Sequence, residues 1–128
     1  MKGRSISPGR VTGPALVSTE PLGFYGGVDP RTGLVTERGH PLEGQTVTGR
    51  VLVFPCGKGS TVGSYVIYGL AKNGVAPLAI VNAETESIVA TGAILAGIPC
   101  VDGVDLSTIR TGDYLEVDAD KGTVTHAS

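Results

Sequence analysis

The sequence is poor in the groups that build disulfide scaffolds, metal cages and membrane anchors. Two cysteines, Cys56 and Cys100, stand far apart, and no apolar run follows the basic Met1-Lys2-Gly3-Arg4. That pattern argues against a secretory leader and a disulfide framework, so the expectation is a reduced, cytosolic chain. A cubane iron–sulfur cluster takes three or four thiolates. One cysteine before a glycine loop and one inside an apolar strand cannot supply them, and both read as small core residues. Histidine is as scarce, with only His40 and His126, and no Cys, His or carboxylate spacing around His40 makes a metal site. Charged residues are 17% of the chain and the formal net charge is -2, which leaves no nucleic-acid footprint and no acidic tail. A hydrophobic share of 41% argues against disorder. No apolar stretch reaches the roughly 18 residues that would suggest a membrane span.

What is present fits one domain over residues 1–128, large enough to bury a core but small for enclosing an active-site cleft alone. A partner is therefore plausible from the outset. Short apolar pieces between Arg4 and Ser18, broken by Pro8, Gly9, Gly13 and Pro14, predict strands with tight turns. Asp29-Pro30-Arg31-Thr32-Gly33 has the residue types of a turn, beside a Phe24-Tyr25-Gly26-Gly27 stretch whose glycines suggest close backbone approach. Residues 46–54, Thr46 to Phe54, read as a strand entering the core. Val62, Tyr65, Val66, Tyr68 and Leu70 keep helical spacing up to Lys72-Asn73-Gly74. Pro77 to Asn82 predicts a buried strand, Glu84 to Ala96 a second helix weakened by Gly92, and Ile98 to Val101 another short strand. A hairpin pattern over residues 112–126 ends the chain. Strands flanking a βαβα middle imply a mixed α/β domain with a twisted, barrel-like sheet and two main helices.

The chemistry concentrates in Phe54-Pro55-Cys56-Gly57-Lys58-Gly59-Ser60-Thr61, between the predicted core strand and the first helix. A strand, a glycine turn and a helix start bring backbone N–H groups and two hydroxyls to one point, which suits an anion. A Walker loop is absent, because Gly59 follows Gly57-Lys58 and Leu52 stands where the first glycine belongs. Gly57-x-Gly59-x-x-x-Gly63 has one residue too many for a dinucleotide fingerprint. Ser60 as a nucleophile would want a histidine base, and neither His40 nor His126 lies in a segment that places it there. Two readings of Ser60 stay open: an N-cap of the following helix, or a serine whose alkoxide the helix start and Lys58 stabilise, able to take a proton from a carbon beside a carboxylate.

Phe24-Tyr25-Gly26-Gly27-Val28-Asp29-Pro30, His40-Pro41-Leu42-x-Gly44-Gln45, Gly57-Lys58-Gly59-Ser60 and Gly92-Ala93-Ile94-Leu95-Ala96-Gly97-Ile98-Pro99, in this order and spacing, resemble the small subunit of the aconitase X family over nearly the whole chain. The resemblance implies a swivelling β/β/α domain like the mobile domain of aconitase. It also implies a larger catalytic subunit as heterodimer partner, which holds a [4Fe-4S] cluster, none being bound by this chain. In the archaeal mevalonate branch of the family the implied reaction is dehydration of (R)-mevalonate 5-phosphate to trans-anhydromevalonate 5-phosphate. The partner's cluster would act on the leaving hydroxyl, while Ser60 removes the proton. By the same resemblance Lys58 helps hold an anionic group, and Gly57, Gly59, Ser60 and Thr61 complete the substrate-binding loop. Arg10, Asp29 and His40 are weaker cleft or interface candidates, with surface charge and turn chemistry as equal alternatives. Aconitase itself follows its serine pair with an arginine, whereas Thr61 and Val62 follow Ser60 here. The alternatives are another aconitase X dehydratase of the hydroxyproline type, and a non-catalytic anion-binding or regulatory module.

Overall fold

The computed structural model describes residues 1–127. Seven strands form one sheet: β1 (Arg4–Ser7), β2 (Arg10–Val17), β3 (Val51–Phe54), β4 (Ala79–Asn82), β5 (Cys100–Asp102), β6 (Tyr114–Asp118) and β7 (Thr123–His126). Two helices, α1 (Gly63–Lys72) and α2 (Ser87–Ala96), follow β3 and β4, and a 3₁₀ turn covers Leu106–Thr108. The strand order is β1-β5-β4-β3-β2-β6-β7. Strands β2 to β5 run parallel, while β1, β6 and β7 join antiparallel. The two edges meet, since Lys2 bridges Thr123 and the Gly3 N–H donates to the Gly122 carbonyl at 2.7 Å. The sheet therefore curls into a barrel-like shape with few free edge groups.

Why the core strands read as continuous apolar runs is plain from the two clusters they separate. Val51 and Val53 of β3 and Val81 of β4 face the inside of the curl, with Val101, Leu115, Val117 and Val124. Leu52, Phe54 and Ile80 face outward, against Ile67 and Leu70 of α1 and Val89 and Ala93 of α2. Each large side chain so buried contributes about 1.5–3 kcal/mol of transfer free energy. The segment between β2 and β3 holds no helix, yet it gives Leu22, Phe24, Val28, Val35, Leu42 and Val47 to the outer cluster. Its Phe24 ring lies 5.9 Å from that of Phe54, tilted by 59°, within the range of favourable aromatic pairs.

Element boundaries differ from the sequence expectations where side chains or turns compete for backbone groups. The strand expected from Thr46 begins at Val51, because Thr46 Oγ1 accepts the Thr48 N–H, Gly49 takes φ 70° and the Arg50 N–H returns to Val47. The second helix begins at Ser87 and not Glu84. Glu86 is its N-cap, and the carboxylate accepts the Ile88 and Val89 N–H groups at 2.8 Å each. At its other end the Ile98 N–H turns back to the Ala93 carbonyl and Gly97 is left-handed, so β5 starts only at Cys100.

Gly92, a blemish in a helix by propensity, sits where α2 crosses α1. A Cβ there would lie 2.7 Å from Ile67 Cδ1 and 2.9 Å from Ile67 Cβ. Gly92→Ala is expected to destabilise the chain by about 1–3 kcal/mol in denaturant unfolding, in the direction of overpacking and against the gain in helix propensity. In an Ile67→Ala background, itself less stable, Gly92→Ala should cost less than it does alone; a stabilising Gly92→Ala in the native background would contradict the close approach.

Candidate active site

The glycine loop leaves the sheet at the C-terminal end of β3, and its root is held carbonyl by carbonyl. Phe54 O accepts the side-chain amide of Asn82 at 2.8 Å, and Pro55 O accepts the N–H groups of Ala83 and Glu84 at 3.1 Å each. Cys56 O accepts from Leu22 N, and the Lys58 N–H donates back to Leu22 O. Gly57 is buried against α2; a Cβ would strike Glu86 Oε1 and come within 2.6 Å of Val89 Cγ2. Only glycine fits there without displacing the capped helix start.

Beyond Gly57 the chain emerges into solvent, with Lys58, Gly59, Ser60, Thr61 and Val62 all exposed. The helix does not start on Ser60 as an N-cap, because Val62 holds that position with no side-chain cap. Two turns extend the helix backwards instead. Gly63 N donates to Ser60 O at 2.9 Å and Ser64 N to Thr61 O at 3.2 Å, while Ser60 Oγ accepts the Val62 N–H at 3.2 Å. The unsatisfied N–H groups of a helix start are thereby moved upstream. Among the described residues, the N–H groups of Gly59, Ser60 and Thr61 have no acceptor, and together with the Ser60 hydroxyl proton they form a cluster of donors open to an anion.

Lys58 is paired with a carboxylate. Its Nζ lies 2.8 Å from Glu37 Oε2, and Glu37 Oε1 also accepts the Gly23 N–H at 3.1 Å. Burial pushes the Glu37 carboxyl up, but the Lys58 ammonium and the Gly23 N–H outweigh it and hold the group below the usual carboxylate range. The same pair raises Lys58. Both line a polar cleft of about 250 Å³ with Glu20, Arg38 and His40. His40 is buried; its Nδ1 accepts the Leu42 N–H at 3.0 Å, so Nε2 carries the proton toward Pro21 O, also at 3.0 Å.

Known proteins match this chain along its length. The model of the aconitase X swivel domain matches residues 1–126. The chain belongs to the aconitase X swivel domain family. Curated relatives named phosphomevalonate dehydratase small subunit include those of Thermococcus sibiricus, 60% identical over 97% of this chain and 95% of the relative, and of Methanocella arvoryzae, 57% identical over 97% and 96%. The crystal structure of Thermococcus kodakaraensis aconitase X, in its holo-form, superimposes with a TM-score of 0.98 at 56% identity, covering 99% of this chain and 97% of that one. The swivel-like α/β architecture expected from the sequence is thus the observed one.

In this swivel domain the weaker site candidates occupy three different settings. Arg10 lies at the N-terminal end of β2, roughly 25 Å along the strand direction from the level at which the loop leaves the parallel neighbour β3; its guanidinium pairs with Glu116 at 3.3 Å. Asp29 accepts the Arg31 N–H at 2.9 Å and serves its own turn. His40 alone reaches the cleft that Lys58 lines. No residue pattern marks Glu37 as the partner of Lys58, or Asn82 and Glu86 as supports of the loop, since each acts across a gap of 20 residues or more that only folding closes. The described residues do not fit a cluster. Cys56 and Cys100 lie on opposite sides of β4, burial pushes the Cys100 thiol up to about 12, and the described residues contain no group of three metal-ligating side chains. Among the described residues no helix is long and apolar enough to cross a membrane.

Glu37 has its pKa depressed by folding, so its contribution to stability is complete above the ordinary glutamate pKa and is lost as pH falls through the depressed value. Glu37→Gln should therefore be less stable than the native chain at pH 7 in urea unfolding, with the difference shrinking toward zero in acid. A pH-independent difference would place the effect in packing and not in the ion pair.

Proposed function

We propose that this chain, a single swivelling unit over residues 1–128, is the small subunit of a cytosolic phosphomevalonate dehydratase and carries the general base, Ser60. The observation that carries the proposal is the position of that hydroxyl: exposed beyond a rigidly rooted loop, beside the unpaired N–H groups of Gly59, Ser60 and Thr61. Names of relatives at 57–60% identity supply the substrate class, a phosphorylated hydroxy acid. In the proposed step, the Ser60 alkoxide takes the proton from the carbon next to the carboxylate of (R)-mevalonate 5-phosphate. The C–H pair becomes the new C=C bond, the hydroxyl leaves the neighbouring carbon, and water is the balance. Departure of that hydroxyl belongs to the larger subunit, where a [4Fe-4S] cluster would supply Lewis acidity.

The chain's own residues do three things in this scheme. The N–H groups of the loop favour negative charge on and near Ser60 Oγ. Lys58, held by Glu37, keeps a cation at the rim, where an anionic substrate group can compete for it. The exposure of the loop requires a second protein surface to exclude water, which is why the activity needs both subunits.

In the two-subunit complex, Ser60→Ala is expected to lower kcat for loss of water from mevalonate 5-phosphate by about 10²–10⁴-fold, the usual worth of a general base. Complex formation should persist, and unfolding should change by about 1 kcal/mol or less, the worth of one exposed hydrogen bond. Full turnover by Ser60→Ala in an intact complex would reduce Ser60 to a turn residue and the chain to a binding module.

A further inference from the structure

Between Phe54 and Ser60 the chain has few side-chain-encoded restraints, and one of them comes from a residue outside the loop. Pro55 and Cys56 are held by backbone N–H groups, which substitution cannot easily remove. The carbonyl of Phe54 is held by a side chain, the amide of Asn82 at the end of β4. Asn82 is wholly buried, an unusual place for an amide unless its bonds are made. They are made in one orientation only. Nδ2 donates to Phe54 O at 2.8 Å, and Oδ1 accepts the Thr85 hydroxyl at 2.9 Å. Thr85 is fixed in turn, because its N–H donates to Asp102 Oδ2 at 2.9 Å. Asp102, itself buried, receives the Arg4 guanidinium through two bonds of 3.0 and 2.9 Å. A chain of polar contacts thus crosses the sheet from β1 through β5 and β4 to the last carbonyl of β3.

We infer that Asn82 is a positioning residue: through its bond to Phe54 O it sets the direction in which the loop leaves the sheet, and so the place of Ser60 Oγ. The inference rests on the proposed role of Ser60 for its effect on turnover. It does not rest on it for its effect on the loop. A catalytic group displaced by about 1 Å can lose about 10²-fold in rate, and beyond Gly57 Ser60 is tied mainly to its own helix start, through Gly63 N–H on Ser60 O and Val62 N–H on Ser60 Oγ, so its place follows the direction in which the loop leaves the sheet.

The test uses the complex of this chain with its large subunit, mevalonate 5-phosphate as substrate, and Asn82→Asp. The variant keeps the acceptor for Thr85 but turns a carboxylate oxygen toward Phe54 O. At pH 8 its kcat is expected to fall by about tenfold or more, with KM within about twofold, as for a misplaced reacting group. Burial raises a carboxyl's pKa, and the protonated form can again donate to Phe54 O. The ratio of variant to native kcat should therefore climb as pH is lowered toward 5.5. Val81→Ala, which opens a cavity on the opposite face of the same strand, loses stability but should keep native kcat and show no such pH dependence. Native kcat in Asn82→Asp at pH 8, or a loss that does not recover in acid, overturns the inference. If Asn82→Asp does not fold, Thr85→Val removes the hydroxyl that orients the amide; a lower kcat at unchanged KM supports the inference and native kcat overturns it. Amide hydrogen exchange at Leu22, Lys58 and Gly63, whose N–H groups bond to Cys56 O, Leu22 O and Ser60 O, reads the loop without substrate. Faster exchange in the Asn82 or Thr85 variant supports the positioning role even if Ser60→Ala retains turnover and the base assignment falls; unchanged exchange overturns it.

Discussion

The burial of β3 on both faces sets the terms for everything around it. Four residues, Val51 to Phe54, send side chains alternately into the curl of the sheet and out toward the helices, and all four are buried. A strand so enclosed cannot shift register by one residue without exchanging its two clusters. Its C-terminal end is therefore a fixed point, and the loop that follows starts from a place the whole core defines. The closure of Met1–Gly3 on residues 122–124 completes that frame by joining the sheet's edges.

From this fixed point the loop passes from rigid to open within a few residues. Gly57 is wedged against the capped start of α2, and three residues later Ser60 stands in solvent. The transition concentrates restraint at the root and leaves the donors at the tip unpaired. Such an arrangement suits a group that must meet something brought by another molecule. The cleft beside Lys58 is polar, about 250 Å³ in volume, and two of its walls are carboxylates. The Lys58–Glu37 pair neutralises one charge of each sign at the rim, while the N–H groups of Gly59, Ser60 and Thr61 have no acceptor among the described residues.

Much of this was legible in the residues. Alternating and continuous apolar runs located β2, β3, β4 and the final hairpin, and Asn73-Gly74 and Gly97 marked where the helices stop. The glycine loop after β3 stood out by residue type alone, and the family resemblance attached a role to Ser60. What was misplaced were starts, not existences. Thr46-Val47-Thr48 alternates like a strand, but a threonine hydroxyl and a left-handed Gly49 divert it into a turn. Ser60 looks like an N-cap, but the two turns that extend α1 backwards move the cap to Val62. Local hydrogen-bonding side chains and turns compete with the ladder and the helix there, and periodicity does not register that competition.

By itself, then, the sequence determined the class of fold, the order of its elements and the stretch where chemistry concentrates, because those follow from hydrophobic period and turn residues that act over a few positions. Only the tertiary structure decided that Lys58 faces Glu37, that Gly57 and Gly92 are glycine for want of room, and that a polar chain from Arg4 to Asn82 ends on the carbonyl before the loop. Each of these depends on groups that are distant in the chain and are brought within a few ångströms by strand order. A contact of that kind has no period to read. It exists only once the parallel strands have paired and the sheet has curled.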